Sequence, residues 1–210
     1  MADVAARTEQ RILDAAHAVF LRRGTAGARM QEVADEAGVN KALLHYYFRS
    51  KDRLAEAVFR RALQTLVPTV MELLRSELEL EAKLREVVAF YVDTLRENPF
   101  LPGYVLGELT HQPERMRQLF ESVVGARLER MGADVLERLG RQLEAEAEAG
   151  RMRRLSPQEL VVNLLSLVIF PFAACPLVTV MMGLGEDGFQ ALVERRKETV
   201  PEFILNALRP

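Results

Sequence analysis

The segment from residue 29 to residue 51 constrains the fold more than any other part of the chain. Its sequence is RMQEVADEAGVNKALLHYYFRSK, and its first half carries apolar residues at i, i+3, i+4 and i+7, namely Met30, Val33, Ala34 and Ala37. This spacing predicts a short helix with one apolar face. Gly38 can take the left-handed conformation that ends the helix, and Asn40 is a suitable N-cap for a second helix, Lys41 to Tyr47. The pattern predicts a helix-turn-helix.

The second helix of this hairpin is expected to expose an unusual face. Leu44 and Phe48 lie four residues apart and would point inward, which turns the remaining side chains outward: Lys41, Ala42, Leu43, His45, Tyr46 and much of Tyr47. One cation, an imidazole, two phenols and small apolar groups suit phosphates, base edges and thymine methyls. The alternative is an ordinary helical hairpin with core aromatics. Two tyrosines directly before a phenylalanine cannot all be buried on so short a helix, which favours the DNA-binding interpretation.

The rest of the chain lacks strand-like alternation, so the sequence predicts an all-α protein of about nine helices. A first helix, capped by Thr8 and closed before Gly24, would brace the hairpin. After the hairpin we expect a long helix from Ser50 that Pro68 kinks or splits. Three helices follow, over Glu81 to Glu97, Leu101 to Thr110 and Glu114 to about Ala149. The chain then forms a charge-free helix that begins with Ser156 and Pro157, and a last helix from Phe189 to Leu208 that is interrupted at Pro201. We expect a DNA-binding domain over 1–50 and a helical ligand-binding and dimerisation domain over 51–210.

Charge is distributed unevenly along the chain. The whole sequence has 28 basic and 30 acidic residues, a net charge of -2. The first 65 residues hold 11 Lys and Arg against 8 Asp and Glu, a net charge of +3, which leaves -5 for the remainder. A cationic segment that carries the hairpin on an acidic body is what a DNA-binding head requires.

Neither an enzyme nor a metal protein is indicated. His17, His45 and His111 stand far apart in sequence without metal-ligand spacing, and no glycine-rich phosphate loop follows a strand. The single cysteine, Cys175, lies in an apolar run where a thiol stays protonated, and it excludes an intrachain disulfide framework. We therefore expect no catalytic residue, no metal, no cofactor and a reducing cytoplasmic location. The start of the chain has no apolar signal-peptide region, which favours the same location.

Residues 160–185 form a run of 26 residues without a charge. The run is long enough to span a bilayer. Pro171 and Pro176, together with polar Asn163, Ser166 and Thr179, argue instead for a helix buried on most sides. No membrane association is expected.

The residues from Thr8 to about Phe59 resemble the TetR family of bacterial transcriptional repressors. The resemblance rests on two segments, ILDAAHAVFLRRG and VADEAGVNKALLHYYFRSKDRL. In the second, six residues have the spacing of the family pattern: Ala34, Gly38, Val39, Leu44, Phe48 and Lys51. The resemblance implies a transcriptional regulator, and a repressor like the members of that family. It implies that the protein binds a palindromic double-stranded DNA operator and is released from the DNA by a small molecule. It also implies that Lys41, Ala42, Leu43, His45 and Tyr46 face the major groove while Tyr47 and Lys51 hold phosphates.

The sequence departs from the family pattern in two places, in the second hairpin helix and at the start of the first. His45 stands where tyrosine is common, which would make that contact shorter and partly pH-dependent. Ala28 and Arg29 replace the usual capping hydroxyl of the second helix, and Gln31 replaces a frequent arginine. Arg29 could supply the phosphate contact by charge, but a lost hydroxyl cap costs about 1 kcal/mol, so we expect the start of this helix to fray.

One recognition helix covers few base pairs, so specific binding requires a dimer. We expect the last two helices, about 157–184 and 189–208, to form this homodimer interface as a four-helix bundle. The candidate side chains for a hydrophobic or amphipathic ligand are Phe90, Tyr91, Tyr104, His111, Met116, Phe120 and Phe170. For any one of them a core position is favoured over a ligand contact, and His111 fits a core least well. The alternatives are a membrane-associated or structural helical protein without DNA function, and a regulator without a small-molecule ligand.

Overall fold

The computed structural model describes residues 2–125 and 128–210. Within these ranges the chain forms eleven α-helices and no strand, which confirms the all-α class. The helices are α1 (Ala2–Gly27), α2 (Met30–Ala37), α3 (Lys41–Phe48), α4 (Lys51–Arg75), α5 (Leu80–Glu97), α6 (Leu101–His111), α7 (Pro113–Val124), α8 (Leu128–Glu148), α9 (Pro157–Ala173), α10 (Cys175–Met182) and α11 (Glu186–Leu208). We call α1–α3 the head and α5–α11 the body.

The long helix expected from Glu114 to about Ala149 is divided into α7 and α8. Gly125 ends α7 with φ 65° and ψ 16° and donates its N–H to the carbonyl of Glu121 at 2.9 Å. This left-handed conformation is available to glycine at little steric cost, and it cannot continue a helix. The expectation of one helix was wrong here because a glycine within a helical pattern does not reveal whether it ends the helix. Residues 126 and 127, which the expected helix also covered, lie outside the described residues.

The charge-free run is also divided, into α9 and α10, which are bent by 74° at Ala174. Pro176 stands in the first turn of α10, where a missing backbone N–H costs no helical hydrogen bond. Ser156 caps α9 as expected, because its hydroxyl accepts the N–H of Glu159 at 3.2 Å. In the described residues no single helix is long and apolar enough to cross a membrane, and only the bent pair α9 and α10 passes that test together.

Two expected boundaries were wrong at the residue level. The interruption expected at Pro201 is absent, since α11 continues through it, and of the two alternatives at Pro68 the split is excluded because α4 is continuous there. Pro201 is buried, whereas Pro68 is exposed. Thr8 lies inside α1 and does not begin it. Gly24, with φ 66° and ψ 166°, interrupts α1 as expected, but a further helical turn follows where a loop was expected.

One continuous apolar core connects the head with the body. The helix α4 packs against α1 and α3 at its beginning and against α5, α7 and α8 along its length. On the opposite side of the body, α11 packs against α5 and α9. Because α4 contacts both parts, it is positioned to carry a displacement from the body to the head.

Candidate DNA-binding surface

The turn between α2 and α3 is fixed by local hydrogen bonds. Gly38 adopts φ 62° and ψ 38°, and the N–H groups of Gly38 and Val39 bond to carbonyls of the last turn of α2. The Asn40 side chain accepts the N–H of Leu43 at 2.7 Å, which caps α3 as the sequence predicted. The helix-turn-helix expected from residues 29–51 is therefore present.

Two arginines of α1 hold α2, the first helix of the hairpin, against α1. Arg11 donates from Nη2 to the carbonyl of Ala37 at 2.9 Å, at the carboxyl end of α2. Arg22 pairs with Glu36 of α2 at 2.5 Å. A cation at a helix carboxyl end satisfies carbonyls that lack helical partners and interacts favourably with the helix dipole. These contacts set the orientation of α2 on α1.

The first turn of α2 has a carboxylate cap in place of a hydroxyl cap. Arg29 occupies the N-cap position with extended backbone, and its side chain has no acceptor atom to offer. The Glu32 side chain instead accepts the Arg29 N–H at 3.0 Å. Half of a capping box therefore remains, and the expectation that the cap is entirely lost was too strong. Fraying of this turn stays a prediction.

The outer face of α3 matches the expected set of side chains. Leu44 and Phe48 are buried, and Tyr46 is 78% exposed. The other members of the predicted face are exposed or half-buried: Lys41, Ala42, Leu43, His45 and Tyr47. Large aromatic side chains are seldom left in water on a monomer without a binding role. Arg29 and Gln31 are exposed beside this face, and Gln31 donates to Asp35 of its own helix at 2.8 Å.

The ring of His45 is oriented by the end of its own helix. Its Nδ1 lies 3.1 Å from the carbonyl oxygen of Arg49. A carbonyl can only accept, so Nδ1 carries the hydrogen and Nε2 of the neutral ring is left as an acceptor. In the major groove such an acceptor matches the amino group of adenine or cytosine, and a protonated ring would match guanine acceptors.

Tyr47 and Lys51 are tied to α1 at the edge of the α3 face. The Tyr47 hydroxyl donates to the carbonyl of Ala5 at 3.3 Å, and Lys51 Nζ donates to the carbonyl of Ala26 at 2.9 Å. An ammonium has three donors, so Lys51 keeps donor capacity for an anion while its position is fixed. Its place in the first turn of α4, after the Ser50 cap, adds the positive end of a helix dipole.

Arg49 is an exposed cation that the sequence analysis did not select. It follows α3 with φ 45° and ψ -40°, an unusual conformation for a residue with a side chain. Its N–H bonds to the His45 carbonyl at 2.9 Å. Its position between Phe48 and the Ser50 cap was visible in the sequence, but the direction of its side chain depends on this backbone conformation.

A profile of the family described as "Bacterial regulatory proteins, tetR family" matches residues 12–58, the segment that holds most of the head and the start of α4. Residues 12–58 are thus similar to the TetR family. The match covers the helix-turn-helix and its brace, and the all-helical body agrees with the family's fold.

Relatives of this chain include proteins named as transcriptional activators and as repressors. It is 38% identical over 94 residues to the HTH-type transcriptional activator FasR of Mycolicibacterium smegmatis, covering 44% of this chain and 43% of that protein. It is 32% identical over 111 residues to the HTH-type transcriptional repressor NicS of Pseudomonas putida, covering 53% and 52%. The chain thus spans about half the length of the curated relatives it matches.

Among solved structures, the chain is similar to a mutant of HlyIIR in which a linker carrying two thrombin sites replaces one segment. The TM-score is 0.60 at 25% identity, and the match covers 98% of each chain. The likeness therefore extends beyond the head to the whole arrangement of helices.

The candidate ligand residues of the body are distributed between the core and the surface. Met116 is buried, His111 is exposed and Phe170 is 58% exposed, whereas the other four are half-buried: Phe90, Tyr91, Tyr104 and Phe120. Tyr104 stacks on Phe59 of α4 at 3.5 Å between ring centroids. Burial raises the pKa of the Tyr91 and Tyr104 hydroxyls to about 12. The predicted ligand role of these residues remains a prediction.

Phe90 differs from the other candidates because it lines a cavity of about 590 Å³ between α1, α4 and α5. The same cavity is bordered by His17 and Asn98, at the contact between head and body. Groups of His, Cys, Asp or Glu that could hold a metal ion were sought over the described ranges, and none was found there.

Proposed function

We propose that this chain is a transcriptional regulator, acting as a repressor, that binds a palindromic operator as a homodimer and is released by a small hydrophobic or amphipathic ligand. The observation that carries the proposal is the outer face of α3, where Tyr46 is 78% exposed beside His45 and between the cations Lys41 and Lys51. Base-reading groups surrounded by phosphate-binding cations are what a recognition helix needs.

The dimer is supported by the distribution of exposed apolar side chains. Of the twelve large apolar residues that are exposed in the described part of the chain, seven lie on the last three helices: Val162, Phe170, Leu177, Val180, Met181, Met182 and Phe203. Contiguous apolar surface on a soluble protein marks an interaction site. Specific binding requires two recognition helices about 34 to 36 Å apart, which a dimer joined through this surface would have to supply.

Repression is proposed from the resemblance to the TetR repressors, and the relatives FasR and NicS are named as an activator and a repressor. Ligand release is supported by cavities that border α4, because a ligand that favours one position of this helix would change the spacing of the two heads. We further propose the division into a DNA-binding domain over 1–50 and a ligand-binding and dimerisation domain over 51–210, acting in the bacterial cytoplasm.

The test is a binding measurement on DNA selected from a random-sequence pool by the parent protein. Fluorescence anisotropy should show salt-dependent binding to a selected palindrome, and Tyr46→Ala should weaken it about tenfold or more. Leu109→Ala removes a 45% exposed apolar side chain from α6, away from the α3 face, and should bind as the parent does. Selection of no palindrome, or equal affinity of the parent and Tyr46→Ala, would remove the basis of the proposal.

A further inference from the structure

Two cavities adjoin at the carboxyl end of α4, far from the head along that helix. One, of about 500 Å³, lies between α4, α7 and α8 and is lined largely by apolar side chains: Pro68, Met71, Val123 and Met131. The other, of about 310 Å³, is lined by four cations: Arg75, Lys83, Arg138 and Arg141. The cavities share Arg75 and Ser76 as lining residues.

The apolar lining of one cavity and the cationic lining of the other come from rows of residues on the facing helices α4 and α8. On α4 the lining residues recur at i, i+3, i+4 and i+7, from Pro68 and Met71 through Glu72 to Arg75. On α8, Met131 and Arg138 lie seven residues apart, two helical turns along the same side. Each row therefore passes from a methionine to an arginine in the same order, so the apolar cavity lies beside the cationic one, with Arg75 and Ser76 at their common border.

Three of the four cations of this groove contact carboxylates, and Lys83 contacts none in the described part of the chain; Arg141 pairs with Glu137 at 2.6 Å, and Glu72 lines the apolar cavity. Arg75 and Arg138 share one carboxylate, that of Asp134, at 2.6 and 3.4 Å. The other acidic contact of Arg138 is Glu77, whose side chain is 98% exposed and lies 3.8 Å away. An exposed pair at that distance contributes little.

Among the four cations that line the groove, Lys83 gives the clearest indication of an anion site. It is 3% exposed, and its ammonium donates only to neutral acceptors in the described structure, the Leu74 carbonyl at 3.2 Å and Gln142 Oε1 at 2.8 Å. Burial, with a further contribution from the nearby Arg138 charge, holds the pKa of this amine below its ordinary value of 10.5, although Glu77 acts in the opposite direction. A buried ammonium without a counter-charge is costly, and one of its three donors remains for a further acceptor.

We infer that this groove is a binding site for a single-chain amphipathic anion, a molecule with an alkyl chain and a phosphate or carboxylate head. The head would lie between Arg75, Lys83 and Arg138 and supply the missing negative charge through charge-assisted hydrogen bonds. The chain would lie against Met71 and Met131, whose flexible side chains adapt to alkyl groups. The inference gives the proposed ligand a location and a charge, and it rests on the proposed function for any effect on DNA.

Calorimetric titration of the full chain tests the site without reference to DNA. The probes are decyl phosphate, decanoate, decanol and decyltrimethylammonium, each kept below its micellar concentration. Decyl phosphate should bind one per chain and at least tenfold more tightly than decanol or the cationic probe. A comparison with decanoate distinguishes a phosphate from a carboxylate head.

Matched variants separate charge from general apolar binding. Arg138→Gln should weaken decyl phosphate about tenfold and leave decanol unchanged. Arg85→Gln removes the same charge from an exposed pair with Glu81 on α5, outside both cavities, and should behave as the parent does. Lys83→Met replaces the buried ammonium with an apolar chain of similar length, so it should stay folded, as the thermal midpoint will show, while binding decyl phosphate more weakly.

The inference is overturned if the cationic probe binds as tightly as decyl phosphate, or if Arg138→Gln and Lys83→Met, both folded, bind decyl phosphate as the parent does. Operator binding is measured separately by anisotropy with the parent protein. If the parent protein binds no operator when no probe is present, the proposed function alone is contradicted. Calorimetric binding of decyl phosphate supports the site whether or not it releases DNA.

Discussion

Nε2 of His17 in α1 lies 3.0 Å from Oδ1 of Asn98, the residue that follows α5, and this pair joins the head to the body. Asn98 Nδ2 donates to the Thr94 carbonyl at 3.0 Å, so its oxygen faces the histidine and the imidazole donates. The Phe100 ring meets His17, Phe20 and Phe59 edge-on, at 5.5, 6.0 and 5.6 Å between ring centroids. The head is therefore attached at a polar pair surrounded by aromatic rings.

Asn98→Ala should lower the free energy of unfolding by about 1 to 2 kcal/mol, because it removes two hydrogen bonds from a half-buried site. Chemical denaturation followed by circular dichroism measures the change. Asn206→Ala is the matched control, since Asn206 is exposed near the end of α11 and its replacement should change stability by less than about 0.5 kcal/mol. Equal stability of the two variants would show that the His17 contact does not hold the head to the body.

Lys51→Ala tests the phosphate contact separately from base recognition. The Lys51 ammonium is held by the Ala26 carbonyl at the beginning of α4, so its charge is fixed in place before DNA arrives. Its loss should weaken binding to all sequences about equally and reduce the salt dependence by about one counterion. Anisotropy titrations at several salt concentrations on selected and unrelated DNA measure both quantities. A loss confined to the selected site would instead make Lys51 a determinant of specificity.

The caps of the hairpin give a third prediction. Asn40→Ala should destabilise the protein by about 1 kcal/mol, whereas Asn40→Gly should cost only a few tenths, because glycine leaves the cap backbone open to water. Glu32→Ala should increase amide hydrogen exchange in the first turn of α2, since it removes the acceptor of the Arg29 N–H. Unchanged exchange there would mean that the carboxylate does not stabilise this turn.

The ion pair between Glu56 and Arg115 predicts how the free energy of unfolding depends on pH. Burial alone would raise the pKa of Glu56, but the hydrogen bond and charge of Arg115, at 2.6 Å, and those of Arg60 outweigh it, and the pKa lies below the ordinary 4.5. A depressed folded-state pKa stabilises the protein above pH 4.5, and this contribution is lost as the pH falls through the depressed value. Glu56→Gln should therefore be less stable at pH 7 by about 2 kcal/mol.

The measurement is the free energy of unfolding of the parent and Glu56→Gln at pH 7 and at pH 3. The difference between them should shrink at the lower pH. Glu81→Gln, which breaks an exposed i,i+4 pair with Arg85, should cost little at either pH. A difference that is independent of pH would attribute the effect to packing and not to the ion pair between α4 and α7.

The head could be predicted from the sequence in more detail than the body. The helix-turn-helix depends on local signals: the spacing of Val33, Ala34 and Ala37, the left-handed Gly38 and the Asn40 cap are each readable within a few residues. The His17–Asn98 pair spans 81 residues, and no periodicity indicates that these side chains meet. The division at Gly125 and the bend at Ala174 likewise depend on tertiary packing, which a glycine or a proline permits but does not require.

The ligand region shows the same limit. Aromatic composition drew attention to Tyr104 and Phe170, yet the first stacks on Phe59 and the second lies 58% exposed. The cations at the end of α4 were overlooked because Arg138 and Asp134 read as an ordinary i,i+4 pair on a solvated helix. Only the packing of α8 against α4 brings Arg138 beside Arg75, and the hydrogen bond from Lys83 of α5 to Gln142 of α8 brings the buried ammonium to the same cavity.

The dimer prediction depends on the apolar face of α9 and α11. Phe203 on α11 is 63% exposed and lies beside Leu167 and Leu160 of α9 around one cavity. Phe203→Arg would place a charge at the centre of a contact between two copies, where its desolvation has no compensating partner. Sedimentation at micromolar concentration should show a dimer for the parent and a monomer for this variant, and operator binding should fall with it. Leu106→Arg adds the same charge at a 51% exposed apolar position on α6 and should remain dimeric. A dimer that persists in Phe203→Arg and dissociates in Leu106→Arg would move the interface from α11 to α6.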